Sequence, residues 1–167
     1  KPKDLIGIPW RLAFALQSDG WYLRSDIVWH KPNAMPESVK DRPARSHEFL
    51  FMFTKSEKYF YDWQSVREPT ENGSLRNRRS VWHVNTKPFA GSHFATFPPD
   101  LLRPCIPAST EPGDYVLDPF FGSGTVGLVC QEENRQYVGV ELNPEYVALA
   151  ADRLQGQNSN VIRIDAA

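Results

Sequence analysis

A chain of 167 residues, 41% apolar, 13% aromatic and 23% charged, is long enough for one domain with a real core and short for two. No apolar run approaches the ~18 residues of a membrane span. Two cysteines, Cys105 and Cys130, supply neither a disulfide framework nor a metal knuckle, and reduced, buried thiols in a cytoplasmic protein are expected. The sequence opens at Lys1-Pro2-Lys3 without Met or a charged-then-apolar leader, which leads us to expect a fragment. The net charge of −1 conceals a split: residues 1–88 hold 15 Lys/Arg against 10 Asp/Glu, and residues 89–167 hold 4 against 10. All five tryptophans lie in the first stretch. A basic, aromatic half points to a polyanion, with chance surface variation as the alternative.

Ile8 to Gln17 carries apolar residues at helical spacing, with Pro9 in the first turn and Gly20 behind it. Trp21 to His30 is aromatic and β-branched and reads as a strand ending before Pro32. Lys31 to Ser46 is a proline-rich loop. His47 to Thr54 is a nearly continuous apolar run, the pattern of a strand buried on both faces. Tyr59-Phe60-Tyr61 is expected to add a short strand. Residues 64–92, polar and turn-rich, read as a connector whose Arg76, Arg78, Arg79 and Lys87 are candidates for phosphate contacts; a solvated basic loop is the alternative. His30 and His47 read as hydrogen-bonded structure, not as catalytic acids. Leu101 to Ala108 reads as a short helix beginning near Pro99-Asp100, its end obscured by Pro104 and Pro107.

The remainder follows one pattern. A strand at Tyr115 to Leu117 runs into Asp118-Pro119-Phe120-Phe121-Gly122-Ser123-Gly124, a helix covers Thr125 to Glu133, and Tyr137 to Leu142 is a second strand. Asn143 is a good N-cap, and Pro144 opens the helix Glu145 to Leu154. Strand, helix, strand, helix predicts a right-handed βαβ unit in a parallel sheet, hence an α/β fold.

Gly122-Ser123-Gly124-Thr125-Val126-Gly127 satisfies G-x-G-x-x-G, and Glu141 ends the following strand. That pattern alone suits a dinucleotide, whose pyrophosphate sits on the helix N-terminus. Asp118, four residues before Gly122 at the strand's carboxyl edge, points elsewhere. A carboxylate there repels a pyrophosphate and attracts a cation. S-adenosylmethionine offers an amino group, a sulfonium and a ribose diol without any phosphate, so Asp118 suits its methionine end and Glu141 its ribose.

These residues bring a family into view. Asp118 to Thr125 (DPFFGSGT) resembles the cofactor motif of the amino-group DNA methyltransferases, which act on N4 of cytosine or N6 of adenine. Tyr137 to Tyr146 (YVGVELNPEY) is similar to that family's next strand and helix start. His93-Phe94-Ala95-Thr96-Phe97-Pro98 resembles the motif that precedes the cofactor loop, in a form closer to some cytosine-N4 members. KDLIGIPWRLAFALQ, GWYLRSDIVWHKPN, PESVKDRP and HEFLFMFTKS are similar to segments of the permuted subgroup, in which the catalytic half precedes the cofactor half.

The resemblance implies a Rossmann-like S-adenosylmethionine-dependent methyltransferase sheet, here incomplete: 1–63 as part of the catalytic half, 64–92 as connector and 93–167 as the cofactor half. It implies that Asp118, Phe120, Gly122, Ser123, Gly124, Thr125, Glu141, Leu142 and Asn143 line the cofactor. It adds His93, Phe94, Ala95, Thr96 and Phe97 on the methionine side. It implies double-stranded DNA as partner, a flipped-out target base, a place in DNA methylation or restriction–modification, and a cytoplasmic protein of prokaryotic or phage origin. The family's [Asp/Asn/Ser]-Pro-Pro-[Tyr/Phe/Trp] tetrapeptide, which orients the amino group, does not occur in this sequence. No catalytic residue is therefore assigned, and these residues alone are expected to be inactive. A dinucleotide-dependent oxidoreductase and a non-catalytic nucleic-acid- or cofactor-binding module are the competing readings.

Overall fold

A computed structural model describes residues 1–87, 96–154 and, as backbone only, 160–163. The chain divides into two compact units, Lys1–Tyr59 with Arg79–Asn85, and Phe60–Arg78 with Thr86–Ala167.

In the first unit, helix α1 (Ile8–Ser18) starts with Pro in its first turn and stops at Asp19, after which Gly20 takes a positive φ of 98°. Strand β1 (Tyr22–His30) pairs antiparallel with β2 (His47–Thr54). On its other side β1 pairs in parallel with β5 (Val81–His83), giving the order β2-β1-β5. Helix α1 sets Trp10 edge-on against Phe49 and Phe51, with ring centroids 5.6 and 5.0 Å apart.

Three expectations change here. β2 is an edge strand, not one buried on both faces: only Thr54 is buried, because α1 covers the aromatic face incompletely and there is no second paired neighbour among the described residues. No strand forms at Tyr59–Tyr61, where the Tyr59 hydroxyl instead accepts from Arg24 Nε at 3.0 Å. Residues 81–83, expected within a connector, are a sheet strand whose Trp82 is buried and donates to the Arg79 carbonyl at 2.7 Å.

The second unit opens with a small hairpin, β3 (Glu68–Pro69) and β4 (Leu75–Arg76). The expected helix near residue 101 is split in two, α2 (Pro99–Leu102) and α3 (Cys105–Ser109), broken before Pro104 as proline requires. Then β6 (Tyr115–Asp118), α4 (Thr125–Glu132), β7 (Gln136–Glu141), α5 (Pro144–Arg153) and β8 (Asn160–Arg163) build a parallel sheet of order β6-β7-β8. Strand β8 lies beyond the last element expected from sequence. The core gathers Ile106, Phe121, Val129, Cys130, Tyr137, Ala150 and Leu154, with the Phe121 and Tyr137 rings stacked at 5.6 Å. Burying a ring such as Phe121 contributes about 1.5–3 kcal/mol.

Candidate cofactor site

The loop between β6 and α4 is folded by its own backbone. Asp118 Oδ1 accepts from the Phe120 N–H at 3.0 Å, closing a turn around Pro119. The Phe121 N–H donates to the Val140 carbonyl of β7 at 2.9 Å, and the Gly124 N–H to the Phe121 carbonyl at 2.9 Å. Gly122 and Gly124 sit at φ of 52° and 76°, the left-handed region that L side chains rarely adopt. Phe121 thus turns inward at 2% exposure while Phe120 stands out at 88%.

The glycines divide between two tasks. Near Gly122 a Cβ would meet nothing closer than the Phe120 carbonyl at 3.9 Å, so this glycine serves the turn and leaves the loop's outer surface bare. At Gly127 and Gly139 a Cβ would fall 2.9 and 2.4 Å from the Phe121 ring, so these two exist for packing. The last glycine of the G-x-G-x-x-G pattern therefore belongs to the core.

Glu141 closes the loop from the neighbouring strand. Its Oε2 accepts from the Gly122 N–H at 2.8 Å and its Oε1 from the Asn143 N–H at 2.9 Å. Each oxygen keeps a lone pair for an outside donor. Burial raises the Asp118 carboxyl above its ordinary value; the Phe120 N–H opposes that shift, and the charge of Glu141 adds to it. Neither Asp118 nor Glu141 forms an ion pair among the described residues. Two uncompensated carboxylates at adjacent parallel strand ends, where ligands of such sheets bind, attract a cation. The Gly122 N–H, a donor that a pyrophosphate would need, is already taken by a carboxylate.

Other expected site residues fall into place unevenly. Leu142, which follows Glu141 at the end of β7, is 67% exposed, and Phe120, two residues after Asp118, is 88% exposed, so each carboxylate has an exposed apolar side chain close to it in sequence. Asn143 caps α5, its Oδ1 accepting from the Glu145 N–H at 2.9 Å. Ser123 and Thr125 are each 5% exposed, and their hydroxyls accept from Arg153 Nη1 at 3.1 Å, as does the Ser123 carbonyl at 3.0 Å. These two side chains hold the loop from behind. Arg153 was not among the sequence candidates; only its place as the cation ending α5 marked it. Thr96 is half-buried and Phe97 37% exposed before α2, while His93, Phe94 and Ala95 lie outside the described residues.

The four basic candidates are divided between the two units, with Arg79 in the first and the others in the second. Arg76 pairs with Glu68 at 2.8 Å, Arg78 Nε donates to the Val66 carbonyl at 3.0 Å, and Lys87 pairs with Asp100 at 2.5 Å. Arg79 is exposed.

The chain is 89% identical over all its 167 residues to the Type II methyltransferase M.XycI of Xanthomonas campestris pv. cyanopsidis, covering 56% of that protein. It spans about half the length of the curated relatives it matches. Among solved structures it is similar to M1.HpyAVI in complex with SAM, at 30% identity and a TM-score of 0.67, covering 90% of this chain and 72% of that one. It is also similar to the cytosine-N4-specific PvuII DNA methyltransferase, at 26% identity and a TM-score of 0.75, covering 92% and 61%. The DNA methylase family profile matches residues 3–152, and the chain belongs to that family.

Proposed function

We propose that the whole protein of which these residues form part transfers a methyl group from S-adenosylmethionine to an exocyclic amino group of a DNA base, N4 of cytosine or N6 of adenine. The observation that carries this reading is the Asp118–Glu141 carboxylate pair flanking a bare glycine bend, with no cation of its own among the described residues. The similarity to a cytosine-N4-specific enzyme favours cytosine. Type II relatives favour a role beside a restriction enzyme and a bacterial cytoplasmic setting.

The residues present fit the cofactor. Asp118 would hold the methionine amino group, Glu141 the ribose hydroxyls, and Phe120 and Leu142 would lie against the adenine. The bound cofactor supplies an electrophilic methyl group. The chain's own residues orient it: Glu141 holds the bend through the Gly122 N–H, and Arg153 fixes the bend from behind through Ser123 and Thr125. Methyl transfer is in-line and dominated by positioning. The tetrapeptide that would orient the target amino group is absent from these 167 residues, so catalysis is assigned to the whole protein.

Calorimetry on the full-length protein tests the reading. S-adenosylmethionine should bind, NAD should not, and Asp118→Ala should weaken the methyl donor at least tenfold, the loss of one charge-assisted hydrogen bond of about 1.5–3 kcal/mol. Mass spectrometry of nucleosides from DNA exposed to the enzyme should show methylated cytosine or adenine. NAD binding, or unmodified nucleosides, would overturn it.

A further inference from the structure

The first unit contains a cavity of about 420 Å³ that the proposed cofactor chemistry does not use, lying between the start of α1 and the start of β2. Its size is within the ~300–1,000 Å³ of ordinary ligand pockets. Its lining carries two cations, Lys31 and Arg45, and two carboxylates, Glu37 and Glu48, and each carboxylate is paired with a cation other than Arg45. Glu48 is paired with Lys31, whose ammonium also lies 4.4 Å from the Trp29 ring centroid. Glu37 is held by Arg42 at 2.8 Å and by the Arg45 N–H at 3.3 Å, which keep its carboxyl below its ordinary value.

That leaves two donors on the wall. Arg45 is exposed; its guanidinium forms no ion pair or hydrogen bond among the described residues, although its charge acts on the Glu37 carboxylate from a distance. His47 touches Phe49 edge-on at 5.3 Å, and its ring nitrogens form no hydrogen bond among the described residues. His47 stands in register beside His30, and His30 beside His83, but those two imidazoles satisfy one another, Nδ1 to Nδ1 at 2.8 Å. Pro9 and Phe49 complete the cavity with an apolar wall.

A guanidinium and an imidazole free to donate, set beside an aromatic and a proline face, match a phosphate joined to a nucleoside. We infer that this cavity is a nucleotide-unit subsite for a nucleic-acid strand, the phosphate on Arg45 and His47 and the sugar or base against Pro9 and Phe49. The inference rests on the reading of DNA as substrate and gives that partner a location. It adds a phosphate contact to the basic candidates Arg76, Arg78 and Lys87, each of which also has a partner within the protein.

The test is fluorescence anisotropy of the full-length protein with a short labelled DNA duplex across a salt series, using Arg45→Ala, Arg45→Lys and, as a control on the same loop, Lys40→Ala. Arg45→Ala should weaken binding about tenfold and make the slope of log K against log salt shallower by ~0.9, one phosphate's worth of released counterion. Arg45→Lys should restore most of the slope, and Lys40→Ala should leave it near wild type. Equal slopes for all the proteins, or equal loss in Arg45→Ala and Lys40→Ala, would overturn the inference. So would Arg45-dependent binding of AMP or inorganic phosphate with an unchanged DNA slope, which would make a free nucleotide or phosphate the occupant. S-adenosylmethionine calorimetry on the same variants separates the two readings. An Arg45-dependent slope in a protein that neither binds the methyl donor nor methylates DNA supports this subsite while removing the proposed reaction.

Discussion

At Gly139 and Gly122 the same substitution meets two different physical problems. An alanine Cβ at Gly139 would sit 2.4 Å from the Phe121 ring, which is itself enclosed and has no room to retreat. Gly139→Ala should therefore lower stability by about 1–3 kcal/mol, the range for overpacking a filled core, read as a fall in the urea midpoint. Gly122→Ala meets open space and costs only the left-handed φ, about 1–2 kcal/mol. Asp118 sets stability against binding. Its carboxyl is raised by burial, so the native state holds the proton to higher pH than the unfolded chain does. Stability from this group is full below the unfolded value of about 3.9 and is lost as pH rises through the raised native value. Asp118→Asn should thus unfold at higher urea than wild type at pH 7, with the gap closing as pH falls toward 4, while its affinity for the methyl donor drops. Equal midpoints at both pH values would show that the carboxylate is not strained in the empty protein. None of this strain could be read from sequence. The motif announced an acid beside a glycine bend, but the inward turn of Phe121 and the grip of Arg153 on residues 28 and 30 positions away depend on packing.

Elements were legible where local chemistry and tertiary need agree. Asn143-Pro144 reads as a helix start, and the structure places the Asn143 side chain on the Glu145 N–H and Pro144 at the first helical position. Asn143→Ala should cost about 1 kcal/mol of stability, measured by thermal or urea unfolding, with no change in the fold's circular dichroism. An unchanged midpoint would show that Pro144 and the packing of α5 start the helix without the cap. Strands were harder. Trp21 to His30 has enough β-branched and aromatic residues to declare itself, whereas Val81–His83 is three residues long and exists because β1 offers it a parallel edge. Tyr59-Phe60-Tyr61 shows the converse, with strand-like side chains and no sheet edge to join. The run His47 to Thr54 was recognised as a strand but misplaced in depth, since continuous apolarity does not distinguish a central strand from an edge strand with an aromatic face under a helix.

For the molecule as a whole, buried apolar surface is distributed unequally. In the first unit the buried hydrophobic residues are Ala13, Trp29 and Trp82. The second holds a continuous cluster from Ile106 to Leu154, with Val129 and Cys130 fully enclosed. Since stability follows apolar area removed from water, the first unit should open at lower urea. The chain carries its own reporters for the comparison. Four of its five tryptophans, Trp10, Trp21, Trp29 and Trp82, lie in the first unit, and both cysteines lie in the second. Burial pushes both thiols up to about 11, so at pH 7.5 they are protonated; Cys105 is half-buried, whereas Cys130 is fully enclosed and should resist alkylation until its unit unfolds. Along a urea series, tryptophan emission should shift red before Cys130 begins to react with iodoacetamide. Coincident transitions would mean that the two units unfold together and that the difference in buried apolar surface does not set the order of opening.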